Sequence, residues 1–334
     1  MTGLAAITGA SGFVGSHVVS AFVVAGWRCR ILLRSGAAVP LAEAEIVEGA
    51  LDDTASLVRL VDGADAVIHV AGLTASRDPA DFGHVNADGT AAMAEAWARA
   101  APAARFVLVS SLAAREPELS PYATSKRRAE EHLAKHTGHW CILRPSAVYG
   151  TRDAATRALF RMARAPLQPL FGPEDAQLCL VHAEDLARAV VAAAEHAPQG
   201  VTWEISDTRR SGYGWREMAA TLTRTLGGTP RPVALPPWLV DALGFVAERV
   251  PGARRLLGPL SAGKIRELRH RDWSSSADAQ PPPAIWAPRF SLAEGFERTL
   301  WAFELERGRR RRRRQSHSTA RTTPRCGDTG KEAP

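Results

Sequence analysis

The chain has 334 residues, enough for one large α/β domain or two domains, and its 46% hydrophobic and 23% charged residues exclude a disordered, collagen-like or coiled-coil protein. The formal net charge is +7, but residues 307–334 hold ten Lys or Arg against two Asp or Glu, which leaves 32 basic and 33 acidic residues elsewhere. We therefore expect the basicity to belong to a tail, with no specific nucleic-acid partner.

Short apolar runs alternate with helix-like segments through the first half of the chain. The predicted strands are Leu4–Thr8, Cys29–Leu33, Ala66–Val70, Phe106–Val109 and Trp140–Leu143, and the predicted helices are Ser16–Ala25, Ala87–Ala101 and Ala123–His136. Strands that alternate with helices form parallel sheets covered on both faces. The pattern therefore predicts a doubly wound α/β fold of the Rossmann type.

The second half is less regular and predicts a smaller α/β region. Its predicted elements are the helices Ala183–His196, Trp215–Leu226, Pro236–Val250 and Ser291–Glu306 and the strand Thr202–Ile205, with Ser291 and Glu294 spaced as a capping box. We predict an NAD(P)-binding Rossmann domain over 1–150 (joined again by about 175–205), a substrate-binding region over 151–306 and a disordered Arg-rich tail over 307–334.

A glycine-rich segment, Thr8–Gly15, follows the first predicted strand with GxxGxxG spacing. Gly9 permits a tight turn, Gly12 allows the backbone to approach a phosphate, and Gly15 allows the next helix to pack closely on the strand. The N-terminus of that helix offers free N–H groups to an anion. The segment, with Ser11, Phe13 and Val14, predicts dinucleotide binding. A glycine turn without a ligand is the alternative.

The residue at the end of the second predicted strand indicates whether NAD or NADP is bound. Sites selective for NAD usually place an acid there for the ribose 2′-hydroxyl. This chain has Arg34 instead, and its guanidinium suits a 2′-phosphate, with Arg30 nearby. We therefore expect NADP in preference to NAD, unless Arg34 is only a solvated surface residue.

Tyr122 and Lys126 are one helical turn apart, so their side chains lie on one face of the predicted helix. A nearby ammonium stabilises a phenolate and lowers the tyrosine pKa, which suits proton transfer at a substrate oxygen. Ser111 follows a predicted strand at the edge where ligands bind, so it is expected to hydrogen-bond the same oxygen. Ser110 and Ser111 acting only as caps is the alternative.

Together these motifs resemble the extended short-chain dehydrogenases/reductases of the NAD-dependent epimerase/dehydratase superfamily, over roughly residues 3–305. The motifs are Thr8–Gly15, Gly49–Asp52, Val67–Gly72, Asn86, Ser110–Ser111, Tyr122 with Lys126, Arg144–Gly150 and Val181–Leu186. The resemblance implies that Leu51 and Asp52 lie by the adenine, that Val70, Ala71 and Gly72 line the cofactor path, that Pro145 and Val148 border the nicotinamide, and that Tyr122 and Lys126 also contact the cofactor. It further implies that Asn86 braces the central strands and that His182 and Asp185 fix the second domain to the first.

Departures from the family patterns narrow the chemistry. Leu112 and Ala113 stand where sugar-nucleotide 4,6-dehydratases have an Asp–Glu pair, so elimination would lack its acid and base. Ala147 stands where sugar-nucleotide epimerases commonly have an Asn that holds the diphosphate. The 11 residues from Ser111 to Tyr122 are also fewer than epimerases usually have.

Apolar residues of the second half are either core or pocket walls. They are Phe160, Leu170, Phe171, Trp238, Leu239, Leu243 and Phe245. As pocket walls they would suit an apolar alcohol or ketone, as in the steroid or flavonoid reductase branches. The Pro236–Val250 helix is also a candidate for membrane-surface contact, against which Asp241 and Glu248 count.

The resulting hypothesis is an NAD(P)-dependent oxidoreductase acting on a small-molecule alcohol or ketone. A sugar epimerase with the same site is the alternative, and a non-catalytic dinucleotide-binding protein is disfavoured because Tyr122 and Lys126 are both present. The four cysteines are far apart and form no CxxC pair, so we expect no metal. No apolar run reaches about 18 residues, which predicts a cytoplasmic protein without a transmembrane segment. The resemblance allows a homodimer through a helix pair that includes Tyr122–His136.

Overall fold

The chain folds around a seven-stranded, wholly parallel sheet, in a computed structural model that describes residues 3–37, 44–249 and 261–305. The strands are β1 Leu4–Thr8, β2 Arg28–Leu33, β3 Glu45–Glu48, β4 Ala66–His69, β5 Arg105–Val109, β6 Trp140–Pro145, β7 Ala147–Tyr149, β8 Leu167–Leu170, β9 Gln177–Leu178, β10 Leu180–His182, β11 Val201–Ile205, β12 Arg231–Ala234 and β13 Asp272–Trp273. The sheet order is β11-β6-β5-β4-β1-β2-β3. Strand order reverses between β1 and β4, so a ligand crevice is expected at their carboxyl ends.

Helices cover both faces of the sheet. They are α1 Phe13–Val24, α2 Thr54–Val61, α3 Ala80–Phe82, α4 Gly89–Ala100, α5 Pro121–Leu133, α6 Ala154–Met162, α7 Ala183–His196, α8 Trp215–Leu226, α9 Pro237–Arg249, α10 Ala262–Arg269 and α11 over residues 292–305. A π-helical segment, Gly83–Asp88, joins α3 and α4. On one face α1 and α7 bury side chains such as Phe22 and Val190, and on the other α2, α4 and α5 bury Leu57, Trp97 and Leu133. Burial of each large side chain stabilises the fold by about 1.5–3 kcal/mol.

A second hydrophobic core lies between α6, α8 and α11. Phe160, Leu170, Leu222 and Phe296 are buried in it. Three short parallel strand pairs, β7 with β10, β8 with β12 and β9 with β13, surround this core. Phe160 and Leu170 are therefore core residues, and the pocket-wall interpretation is wrong for these two.

The predicted fold class is confirmed, a Rossmann-type parallel sheet with a smaller C-terminal α/β region. Helix α1 begins at Phe13, three residues earlier than predicted, and β3 and α2 were missed. The Ser291–Glu294 capping box forms, with the Ser291 N–H donating to Glu294 Oε2 at 2.8 Å. The predicted tail over 307–334 lies outside the described residues.

His182 and Asp185 fasten α7 to the C-terminal segment. The Asp185 carboxylate accepts hydrogen bonds from the backbone N–H groups of Arg289 and Phe290, at 2.9 and 3.0 Å. The His182 ring lies edge-on to Phe290, with centroids 4.9 Å apart. These contacts hold α11 against the sheet region.

Candidate active site

The glycine-rich turn between β1 and α1 is sterically closed to larger residues. Gly9 has a φ of +74°, and a Cβ there would lie 2.6 Å from the Ala71 nitrogen. A Cβ on Gly15 would lie 2.0 Å from the Gly9 oxygen. The Gly12 N–H donates to that same oxygen at 3.0 Å. Backbone thus packs on backbone throughout this turn.

The N-terminus of α1 fits an anionic group. Its N-cap is Gly12, which provides no side-chain cap, and the first backbone bond of the helix runs from Ser16 N–H to the Gly12 oxygen. The N–H groups of Phe13, Val14 and Gly15 therefore have no partner within the helix. Ser11 and Gly12 are exposed beside them. The pyrophosphate of a dinucleotide suits this cradle in charge and hydrogen bonding.

Arg34 and Arg30 have different environments. Arg34 follows β2 at the carboxyl edge of the sheet, is exposed, and its guanidinium bonds no other described residue. The Arg30 guanidinium instead bonds Glu45 Oε1 at 2.8 Å and the Asp62 carbonyl at 2.6 Å. Arg30, which lies on the same strand as Arg34, therefore braces β3 and the end of α2.

The segments after β3 and β4 meet the glycine turn at the same edge. Leu51 is partly buried against α4 beside Gly89, and Asp52 is exposed. After β4 come Val70, Ala71 and Gly72, of which Ala71 donates its N–H to Thr8 Oγ1 at 3.3 Å. The residues expected to line a cofactor path therefore lie along one edge of the sheet.

Asn86 links the loop after β4 to α5. Its Oδ1 accepts the Leu73 N–H at 2.7 Å, and its Nδ2 donates to the Leu73 carbonyl at 3.0 Å and to Ser125 Oγ at 2.9 Å. Ser125 Oγ in turn donates to the Tyr122 carbonyl at 2.7 Å. Asn86 therefore positions the first turn of α5, rather than bracing the strands directly.

Helix α5 begins where its sequence dictates. Ser120 is the N-cap, its Oγ accepting the Ala123 N–H at 3.0 Å, and Pro121 occupies the first helical position. Tyr122 and Lys126 then lie one turn apart on the face toward β5. Lys126 is 5% exposed, and its ammonium donates to the Val109 carbonyl at 2.8 Å.

A buried ion pair between Glu130, on the next turn of α5, and Arg144 lies near Lys126. Glu130 accepts from Ser110 Oγ at 2.5 Å and from Arg144 Nε and Nη2 at 2.9 and 2.6 Å. Burial lowers the pKa of Lys126 to about 8, and the Glu130 carboxylate acts in the opposite direction. Sequence reasoning missed this pair, although Glu130 stands four residues after Lys126, on the same helix face.

The Ser111 side chain lies beside the Tyr122 phenol and acts to lower the pKa of that phenol. Burial raises the pKa of Tyr122 to about 12, and Ser111 offsets this rise only in part. The expected lowering by Lys126 is absent here, where the ammonium is held by the Val109 carbonyl. Ser111 Oγ also accepts the Ala113 N–H at 3.2 Å. This hydroxyl therefore caps the backbone that follows β5 and also lies beside Tyr122.

Pro145 and Val148 complete this edge of the sheet. Pro145 ends β6 and is buried, and Val148 is partly buried in β7, packed against the core that contains α1. The Ser146 N–H donates to the Ile205 carbonyl at 2.9 Å, which fixes the crossing from β6 to β7. Carboxyl ends of neighbouring parallel strands thus bring these residues to the same edge as Ser111.

His69 is a buried polar residue that sequence reasoning treated only as part of a motif. Its ring nitrogens pair with Thr8 Oγ1 at 2.7 Å and Thr90 Oγ1 at 3.1 Å. Burial, together with the nearby Lys126 charge, lowers its pKa to about 3. His69 is therefore neutral and ties β1, β4 and α4 together below the site.

The ring of Tyr122 packs among apolar side chains, while Ser111 and Glu267 act on its hydroxyl. Its ring lies 6.1 Å from the Phe82 ring, centroid to centroid. Leu119, Phe171 and Leu268 are partly buried and pack on the same hydrophobic core as Tyr122. Over residues 3–37, 44–249 and 261–305, no group of three His, Cys, Asp or Glu side chains is placed to hold a metal ion.

Comparisons with known proteins agree with this architecture. The model of the NAD dependent epimerase/dehydratase family matches residues 5–206. A ceramide reductase from Caulobacter vibrioides (strain NA1000 / CB15N) is 41% identical over 303 residues, covering 89% of this chain and 93% of that protein.

Solved structures with the same fold are more distant in sequence. A UDP-glucose 4-epimerase from Thermotoga maritima has a TM-score of 0.69 at 23% identity, covering 91% of this chain and 99% of that one. A dTDP-glucose 4,6-dehydratase from Streptomyces venezuelae, with NAD bound, has a TM-score of 0.68 at 20% identity, covering 91% and 98%. At these identities the likeness establishes the fold alone.

Proposed function

Since the chain belongs to the NAD dependent epimerase/dehydratase family, we propose that it is a nicotinamide-dependent reductase acting on a ketone of a long-chain, ceramide-type lipid. The observation that carries the reaction type is the Tyr122–Ser111 hydroxyl pair, with the Lys126 ammonium buried one turn away. The substrate class is supported by the ceramide reductase relative and by the apolar residues around Tyr122.

The catalytic roles follow from the protonation states. A pKa near 12 keeps the Tyr122 phenol protonated at neutral pH, as a proton donor must be. Ser111 and Tyr122 hold the substrate carbonyl oxygen, and Tyr122 transfers its proton to it as the carbon is reduced. A bound nicotinamide dinucleotide supplies the hydride. Once its ammonium turns from the Val109 carbonyl, Lys126 would stabilise the phenolate that remains, which then regains a proton from water.

A dinucleotide has a consistent set of proposed contacts in this chain. The turn of Gly9, Ser11 and Gly12 with the start of α1 would hold the pyrophosphate. The remaining proposed contacts are Leu51 and Asp52 at the adenine, Val70, Ala71 and Gly72 along the path, Tyr122 and Lys126 at the nicotinamide ribose, and Pro145 and Val148 beside the nicotinamide. Arg34 would bind a 2′-phosphate, which favours NADP.

Replacement of Arg34 by Ala is expected to weaken NADPH binding about tenfold and to leave NADH binding unchanged, because the guanidinium contacts only the 2′-phosphate. Fluorescence titration with each cofactor measures both affinities. Arg28→Ala is the control, since Arg28 is exposed at the opposite end of the same strand. Equal affinities for NADPH before and after the Arg34 change would make Arg34 a surface residue.

Turnover is expected to fall as pH rises above about 8. Lys126 carries its charge below its pKa of about 8 and loses it above that value, and neutral lysine does not stabilise a phenolate. The pH profile of kcat/KM reports this group in the free enzyme. In Glu130→Gln the fall should begin at lower pH, because a carboxylate that raises the pKa of Lys126 is removed. Profiles that stay flat to pH 10 in both proteins would contradict this role.

Turnover assays with two substrates test the proposed function. An N-acylated long-chain amino ketone, whose reduction gives a ceramide, should consume NADPH or NADH and yield the alcohol. UDP-glucose should not be converted, because Ala147 offers no side-chain amide for a diphosphate. Conversion of UDP-glucose to its epimer, with the ketone left unchanged, would overturn the proposal.

A further inference from the structure

Helix α9 presents an exposed apolar face. Trp238, Ala242, Phe245 and Val246 follow one another at helical spacing and are all exposed, Trp238 at 69% and Phe245 at 56%. The opposite side of α9 is covered, because Val240 is buried and a Cβ on Gly244 would lie 2.2 Å from Ile265 Cδ1 of α10. Among the α9 residues whose side chains the structure describes, 237–246, the exposed apolar side chains therefore lie on one face.

Asp241, one of the two acids that counted against a membrane contact, is paired with an arginine. Asp241 lies on α9, and both of its carboxylate oxygens bond Arg269 Nη1 of α10, at 2.8 and 2.7 Å. An ion pair carries no net charge toward an anionic surface. Asp241 therefore does not oppose an approach to such a surface.

The sequence around α9 has a net positive charge, whereas residues 1–306 taken together are slightly acidic. Residues 231–271 hold eight Lys or Arg and three Asp or Glu, a net charge of +5. Since residues 1–306 together carry −1, the remainder of that range carries −6. An apolar helix face with an aromatic side chain, in a segment whose sequence carries net positive charge, is complementary to anionic phospholipid headgroups over an apolar interior.

This face is close to the proposed catalytic residues through one intervening helix. Helix α10 packs on α9 through Ile265, and on the start of α5 through Gly263, where a Cβ would lie 2.9 Å from Ser120 Cβ. Glu267 of α10 bonds the Ser120 hydroxyl, two residues before Tyr122. Leu268 of α10 also packs on the hydrophobic core that Tyr122 contacts.

We propose that the exposed face of α9 docks the protein on the surface of a phospholipid bilayer that contains anionic lipid. The reason for such docking rests on the proposed function, because a two-chain lipid ketone resides in a bilayer and must reach Tyr122 from there. Docking through α9 places the helix pair α9 and α10 between the bilayer and the start of α5.

Flotation of the full chain with phosphatidylcholine vesicles containing some phosphatidylglycerol tests docking without any substrate. The double variant Trp238→Ser with Phe245→Ser is expected to reduce the bound fraction at least tenfold. Trp301→Ser is the matched control, because Trp301 is 54% exposed on α11, and it should bind as the unaltered protein does. Thermal melting should be unchanged in both, since these side chains are more than half exposed.

Several outcomes would overturn the docking proposal. One is absence of vesicle binding by the unaltered protein. Another is full binding by the double variant, with loss of binding only when Arg309–Arg314 are replaced by Ser, which would assign binding to the tail. A third is a dimer in solution that the double variant dissociates, which would mean that a second copy of the chain covers α9.

Measurement of kcat/KM on two ketones distinguishes a failure of docking from a failure of the proposed function. With the ketone in vesicles, the double variant should lose at least tenfold in kcat/KM, and with a short-chain, water-soluble ketone it should match the unaltered protein. Equal losses on both ketones would contradict docking as the cause. If the unaltered protein reduces neither ketone, the proposed function fails, and the flotation result still decides docking.

Discussion

Replacement of Tyr122 by Phe is expected to lower the rate of ketone reduction about 10³-fold and to leave cofactor affinity within twofold. The phenol is the only proposed proton donor at the substrate oxygen. Phe keeps the ring and its contact with Phe82, so the apolar packing is retained. The loss should appear in kcat and kcat/KM together, because the proton is transferred in the transition state.

Single-turnover kinetics with a long-chain ketone measure this loss, and fluorescence titration measures cofactor affinity. Tyr149→Phe is the matched control, because the Tyr149 hydroxyl is buried without a hydrogen-bond partner among the described residues. That control should turn over at the rate of the unaltered protein. Reduction by Tyr122→Phe at more than a tenth of the normal rate would remove Tyr122 from the proton-transfer role.

Replacement of Glu130 by Ala is expected to lower the free energy of unfolding by about 3–5 kcal/mol. The carboxylate accepts two hydrogen bonds from Arg144 and one from Ser110, and its removal leaves a largely buried guanidinium without its partner. The pair joins the ends of β5 and β6 to α5. We therefore also expect the Glu130→Ala protein to hold Ser111 and Lys126 less firmly.

Urea denaturation of both proteins measures the difference. Glu131→Ala is the control on the same helix. The Glu131 side chain is 61% exposed and its Oε1 lies 3.8 Å from Arg127 Nε, and exposed ion pairs of this kind contribute little to stability. We expect that control to change stability by less than about 0.5 kcal/mol. A Glu130→Ala protein as stable as the Glu131→Ala protein would mean that the buried pair does not stabilise this fold.

Elements with a strong local pattern were predicted correctly from the sequence. Leu4–Thr8 consists of a continuous apolar run and one threonine between two glycines, and Ala183–His196 has clear helical periodicity. Both have the predicted bounds in the structure. Glu45–Glu48 was missed, because an edge strand with two acids in four residues has no such pattern. Helix α2, with eight residues, is also too short for a clear periodic signal.

Some features of the site depend on residues close together in the sequence, and others depend on contacts formed only in the folded protein. The glycine turn and the Tyr122–Lys126 spacing depend on backbone geometry within a few residues, so the sequence is sufficient to predict them. The Glu130–Arg144 pair joins positions 14 residues apart, and His69 meets Thr8 across two strands. Only the folded sheet brings these groups together. Burial likewise reverses the direction expected for the pKa of Tyr122.

Exposure could not be predicted from hydrophobicity alone. Phe160 and Trp238 were equivalent as apolar residues of the second half. The structure buries Phe160 against Phe296 and leaves Trp238 mostly exposed. Which apolar residues face solvent is decided by the packing of α9 on α10, a contact between helices that local sequence patterns do not specify.

Isotope transfer tests the central claim, net reduction of a ketone at Tyr122, most directly. The protein is incubated with a long-chain N-acyl amino ketone and a reduced cofactor that carries deuterium on the transferable position. One deuterium is expected in the released alcohol for each cofactor oxidised, and no such product is expected from Tyr122→Phe. A product isomeric with its substrate, formed without net oxidation of the added cofactor, would contradict the account and identify an epimerase.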